Sequence, residues 1–195
     1  MFLLIIFIIF IFITLYFIYN NLYKYDNLVK IKSPVDNDYY WVIDKNDKLK
    51  AANTLANIKI NMKKLVSYLQ QNQNEFPENM SYIKDLIKRT KTINIMETPQ
   101  DEKYTSYTVN KGERVNMCIR SKIIENIHDM NTLMYVAIHE FSHVACPEYG
   151  HTPLFKKIFK FLLERSIEIN IYKAVDYRVN QQSYCGMIIN EYLLD

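Results

Sequence analysis

At 195 residues the chain has room for one ordinary domain plus an extra segment. With 24 Lys and Arg against 21 Asp and Glu, the net charge of +3 is too mild to mark a nucleic-acid binder by itself. Three cysteines, Cys118, Cys146 and Cys185, cannot all pair with one another and lack the spacing of a zinc ribbon or finger. Their count suits a reducing compartment, with one disulfide plus a free thiol as the alternative.

Residues 2–19 are uncharged and almost wholly Ile, Phe and Leu. As a helix they span about 27 Å, close to a hydrocarbon core of roughly 30 Å. No Lys or Arg precedes the run, and Tyr19-Asn20-Asn21-Leu22 is a poor cleavage site, which argues against a removed signal peptide. The expectation is an uncleaved transmembrane anchor over residues 1–20, a polar stalk or linker over 21–45 around Ser33-Pro34, and a folded domain over 46–195. Lys24, Lys30 and Lys32, diluted by Asp26, follow the run. By the positive-inside rule they predict a single-pass membrane protein with its C-terminal domain on the cytosolic side.

Apolar residues at Leu55, Ile58, Met62, Leu65 and Leu69 predict an amphipathic helix over 48–70. Pro77 closes the following loop, and 80–89 reads as a shorter helix. Residues 105–109 and 114–119 are strand-like and joined by Asn110-Lys111-Gly112-Glu113, which predicts a hairpin. The 114–119 strand is either an edge that aligns an extended substrate or an ordinary core strand. A helix over 131–146 is stopped by Pro147 and Gly150; Thr152 then caps a new helix whose first position is Pro153. That helix turns Phe155, Ile158, Phe159 and Leu162 to one side and Lys156, Lys157 and Lys160 to solvent. The tail over 169–195 reads as strand or loop wrapping back over the site, with Met187 as core. The fold class is α+β, with a small antiparallel sheet or hairpin.

The 131–146 helix carries His139-Glu140-Phe141-Ser142-His143, an H-E-x-x-H motif, and Gly150-His151 follows. On a helical wheel His143 falls about 40° from His139, whereas Leu133, Met134, Ala137, Phe141 and Val144 fall at about 120–220°. The apolar stripe is therefore opposite the histidine pair, unlike the setting of a core histidine. Both imidazoles can reach one cation, and Glu140 beside them is placed to handle a proton.

A hydrolytic zinc site needs a third protein ligand and an open position for water. His151 is one candidate, because Pro147 and Gly150 let the chain turn back after the helix. Glu164 or Glu168 on the next helix is the other. Seven residues separate His143 from His151, so the metzincin spacing does not fit. Tyr172, Tyr177, Arg178 and Tyr184 in the tail are candidates for stabilising an oxyanion. Basic residues at Lys63-Lys64, over 84–91 and after Phe155 are explained equally well as solvated helix faces, so a nucleic-acid partner is not supported.

Gly150-His151-Thr152-Pro153-Leu154-Phe155, following H-E-x-x-H after a short loop, resembles the G-H-x-x-x-F continuation of the WLM and SprT-like metallopeptidases. The resemblance runs from about Val136 to Phe159. It implies a minimal zincin-like domain, Zn2+ held by His139, His143 and His151, Glu140 as the catalytic base, and a protein or peptide substrate. Members of these families are linked to proteolysis of DNA-crosslinked proteins, and a membrane-anchored viral or microbial relative fits the amino-terminal run better. The expected activity is that of a membrane-anchored zinc metallopeptidase. The alternatives are a non-enzymatic zinc-binding membrane or virion assembly protein, and a protease acting on DNA-associated proteins.

Overall fold

The structure, a computed structural model, describes residues 2–23, 27–100 and 104–194, with the side chains of the first helix described over 6–16. That helix is α1 (Phe2–Tyr23). Among the described residues no helix is long and apolar enough to cross a membrane. The expected transmembrane anchor, the membrane contact through residues 2–19 and the single-pass, cytosolic-side placement are corrected accordingly. Lys24 and Asp26, on which the orientation argument leaned, lie outside the described residues.

Where a stalk is expected, the chain forms a hairpin of β1 (Leu28–Lys32) and β2 (Tyr39–Ile43), with Leu28 opposite Ile43 and Lys32 opposite Tyr39. Alternation explains it: Tyr40 and Val42 are buried while Tyr39 and Trp41 face outward, the period of a half-buried strand. Ser33 in the connecting turn is also buried and donates to Asn53 Oδ1 at 2.7 Å.

Asn53 belongs to α2 (Lys48–Gln71), whose expected stripe of Leu55, Ile58, Met62, Leu65 and Leu69 is fully buried. This helix packs against the β1–β2 hairpin and against α3 (Met80–Thr90), which buries Ile83 and Leu86. Next comes β3 (Asn94–Glu97), then the expected hairpin of β4 (Tyr107–Val109) and β5 (Arg114–Met117). The sheet order is β3-β5-β4, with β3 parallel and β4 antiparallel to β5. The 114–119 strand is thus central, and among the described residues the outer strand beside the site is β4.

A buried ion pair locks the sheet to the first hairpin. Arg120 Nε donates to Glu97 Oε1 at 2.7 Å, and Glu97 Oε2 accepts from the Ile43 amide at 2.8 Å. Burial raises the Glu97 carboxyl, while Arg120 and the Ile43 amide pull it back. Arg120 also bonds Asp47, the residue that precedes α2.

The chain then enters α4 (Met130–Ala145), capped by Asp129, and α5 (Pro153–Glu168), capped by Thr152 Oγ1 accepting from the Phe155 amide at 3.2 Å. Leu133, Met134, Ala137, Phe141 and Val144 of α4 are all buried, the stripe expected from the wheel. Gly112, in the β4–β5 turn at φ +118°, lies so close to α4 that an added Cβ would meet Val144 Cγ1 at 3.0 Å. A final hairpin, β6 (Gln182–Tyr184) with β7 (Met187–Ile189), stands apart from the main sheet.

Candidate metal centre

The site is built on the last turns of α4. His139 and His143 stand one turn apart on its partly open face, where the rings of Phe155 and Phe159 from α5 back them. His143 stacks on Phe155 with ring centroids 4.2 Å apart.

The loop after α4 is drawn back by cations. Arg89 Nη1 of α3 donates to the Val144 carbonyl at 2.5 Å. Lys111 Nζ, from the β4–β5 turn, donates to the Cys146 carbonyl at 2.9 Å and to that of Glu148. Both cations satisfy carbonyls left unpaired at a helix end and suit its partial negative charge. Tyr149 lies under the Lys111 ammonium, 4.2 Å from ring centroid to nitrogen. Gly150 then takes φ +77° and swings His151 over the helix.

His151 Nε2 lies 3.0 Å from His139 Nε2 and 3.2 Å from His143 Nε2. One ligand atom from each residue falls within 4.8 Å of the others, and among the described residues the group contains these three. A tetrahedral zinc bonded to nitrogens at about 2.0–2.1 Å needs them about 3.3 Å apart, so the donor set fits that ion. Burial, with the neighbouring imidazoles second, pushes the His139 pKa down to about 3 and that of His143 to about 4. Both rings are neutral near neutral pH, the form that offers a lone pair to a metal. Glu164 and Glu168 are not part of the group: Glu168 accepts from Tyr68 Oη at 2.5 Å, and both pair with Arg165.

Glu140 is buried at 3% exposure yet lines the same cleft, of about 680 Å³. Burial pushes its pKa up to about 7, against a hydrogen bond from Thr108 that lowers it. Thr108 Oγ1 donates to Glu140 Oε2 at 2.8 Å from the edge strand β4. Sequence reading missed Thr108; an ordinary strand threonine carries no signal of a partner thirty-two positions away.

Of the four tail candidates, Tyr184 lines the cleft and Tyr172, Tyr177 and Arg178 do not. Its hydroxyl lies 2.6 Å from Ser106 Oγ, and burial holds it well above the usual tyrosine range, so it stays a protonated donor. Met187, expected in the core, is half exposed and also lines the cleft. Cys118 and Cys185 form a disulfide, and Cys146 is a buried free thiol. The one-disulfide alternative is the arrangement found.

Fold and site together define an α+β protein with a three-histidine centre set in a cleft. No protein-family model matches the chain. It belongs to the family of the uncharacterized protein R325 of Acanthamoeba polyphaga mimivirus, to which it is 45% identical over 164 residues, 84% of this chain and 83% of that protein. The uncharacterized protein 136R of Invertebrate iridescent virus 6 is 40% identical over 95 residues, 47% of this chain and 52% of that one. Among solved structures, Wss1 from Saccharomyces cerevisiae is similar at a TM-score of 0.48 and 24% identity, covering 66% of this chain and 87% of that one.

Proposed function

We propose that the chain is a zinc-dependent metallopeptidase, with His139, His143 and His151 as metal ligands and Glu140 as general base. The observation that carries this reading is the meeting of three imidazole nitrogens and one buried carboxylate in a single cleft. Bound there, zinc would supply an acidified water and polarise a scissile carbonyl.

The chain's own residues supply the rest. Glu140 Oε2 is held by Thr108, which leaves Oε1 to take a proton from the nucleophile and return it to the leaving amine. A carboxyl near pKa 7 suits both halves of that transfer. The Tyr184 hydroxyl, protonated and at the cleft wall, is the donor available to a developing oxyanion. Among the described residues β4 is the outermost strand of its sheet, and in this reading it aligns an extended protein or peptide substrate by backbone pairing. A purely structural zinc has four protein ligands, whereas three are gathered among the described residues, which favours an open position and an enzyme over an assembly protein.

The test is paired. The wild-type chain should bind about one zinc and cleave members of a peptide library, and Glu140→Gln should bind zinc without cleaving. A wild-type protein that takes up no zinc after loading sinks the reading.

A further inference from the structure

The tail hairpin and the cleft share one wall. Among the described residues the β6–β7 hairpin pairs within itself alone, and an isolated two-stranded hairpin is marginally stable in water. Within it Tyr184 and Cys185 are buried, at 1% and 3%, while Met187 and Ile188 are 51% and 60% exposed. The hairpin's fully buried anchors are therefore two consecutive residues, with Ile189 packed more loosely against the core. Tyr184 is tied through its hydroxyl to Ser106 Oγ, 2.6 Å away. Cys185 is bonded to Cys118, directly after β5 and 67 positions earlier. The two ties converge, because Ser106 Oγ also accepts from the Cys118 amide at 2.9 Å. What they hold matters to the site: Tyr184, Met187, Ile188 and Ile189 all line the cleft that contains the histidines and Glu140.

We propose that the Cys118–Cys185 disulfide is a redox latch on the substrate cleft, and that the hairpin it fastens is a subsite for a large apolar side chain of the substrate. The proposal rests on the peptidase reading and adds regulation to it. With the latch closed the cleft stays open, so the hairpin acts as a wall rather than a plug. A dithiol reductant delivers two electrons and two protons to the sulfur–sulfur bond; Cys118 and Cys185 become thiols and the dithiol closes to its own disulfide. What remains at the buried end is noncovalent: the Tyr184 ring against His128, centroids 5.1 Å apart, and its hydrogen bond to Ser106, a tether that can open without breaking a covalent bond. The hairpin then swings free and the apolar subsite is lost. None of the three histidines belongs to the hairpin, so the metal centre outlasts the change.

The experiment compares the full chain, zinc-loaded, in its oxidised form and after reduction by a dithiol. Hydrogen exchange at residues 182–189 should quicken by at least about tenfold while α4 is unchanged, since local opening releases one unit of structure. Zinc per chain should hold, KM for peptides with large apolar residues should rise, and kcat should fall as well, because Tyr184 leaves the cleft wall with the hairpin. The double variant Cys118→Ser, Cys185→Ser should match the reduced protein and ignore the reductant, and Cys146→Ser should keep the reductant response. Unchanged exchange in both reduced protein and double variant overturns the latch; quickened exchange at constant KM overturns the subsite. If the oxidised, zinc-loaded protein cleaves nothing, the peptidase reading falls, and hydrogen exchange still decides the latch.

Discussion

Thr108 Oγ1 donates to Glu140 Oε2 at 2.8 Å, joining the edge strand β4 to the carboxylate on α4. A hydrogen bond to a charged group contributes about 1.5–3 kcal/mol, so Thr108→Val should lower kcat by about ten- to a hundredfold. KM and bound zinc should not move, and Thr108→Ser should restore most of the rate. Steady-state kinetics beside metal analysis checks this; equal rates for valine and serine would show that the hydroxyl does not act.

His151 reaches His139 and His143, and the glutamates on α5 do not. His151→Ala should lose zinc, while Glu164→Ala and Glu168→Ala retain it. Zinc at a hundred times its Kd adds about 2.7 kcal/mol to stability. For a chain of this size that raises Tm by about 5–10 °C, a rise that a chelator should erase and that His151→Ala should never show.

Glu140→Gln keeps the shape of the side chain and removes its capacity to take a proton. The expected loss in kcat is about a hundred- to ten-thousandfold at full zinc occupancy. Turnover at the wild-type rate would remove Glu140 as the base.

Lys111 holds the loop that delivers His151, through the Cys146 and Glu148 carbonyls and the Tyr149 ring. Lys111→Met should weaken zinc binding by about tenfold, the scale of a lost outer contact that orients a ligand. Competition with a chromogenic chelator measures it, and an unchanged affinity would show that Gly150 and Pro147 shape the loop unaided.

The α4 motif was legible because helical spacing alone puts His139 and His143 side by side and Leu133, Ala137 and Phe141 behind them. Thr152-Pro153 announced α5 by local chemistry, and the α2 stripe announced itself by period. What escaped depended on distant partners. Strand β3 is Asn94-Ile95-Met96-Glu97, with no alternation to read, because buried Glu97 is matched by Arg120 far along the chain. Without β3, nothing could tell which strand of the following hairpin was the edge. The β1–β2 hairpin was masked by the lysines of β1 and the aspartates of its connecting turn. The disulfide partner of Cys185 is set by where the tail folds, which spacing does not state.

Gly112 has a consequence for whatever lies along β4. Its missing side chain seats the β4–β5 turn against Val144 at one end of the strand, and Thr108 at the strand's middle grips Glu140. Strand and helix thus behave as the two jaws of a single caliper, set to one gap. On the proposed peptidase reading, a polypeptide paired with β4 would be gauged against the carboxylate by the sheet itself. Motion in the tail or in the histidine loop can change what is admitted without altering that gap.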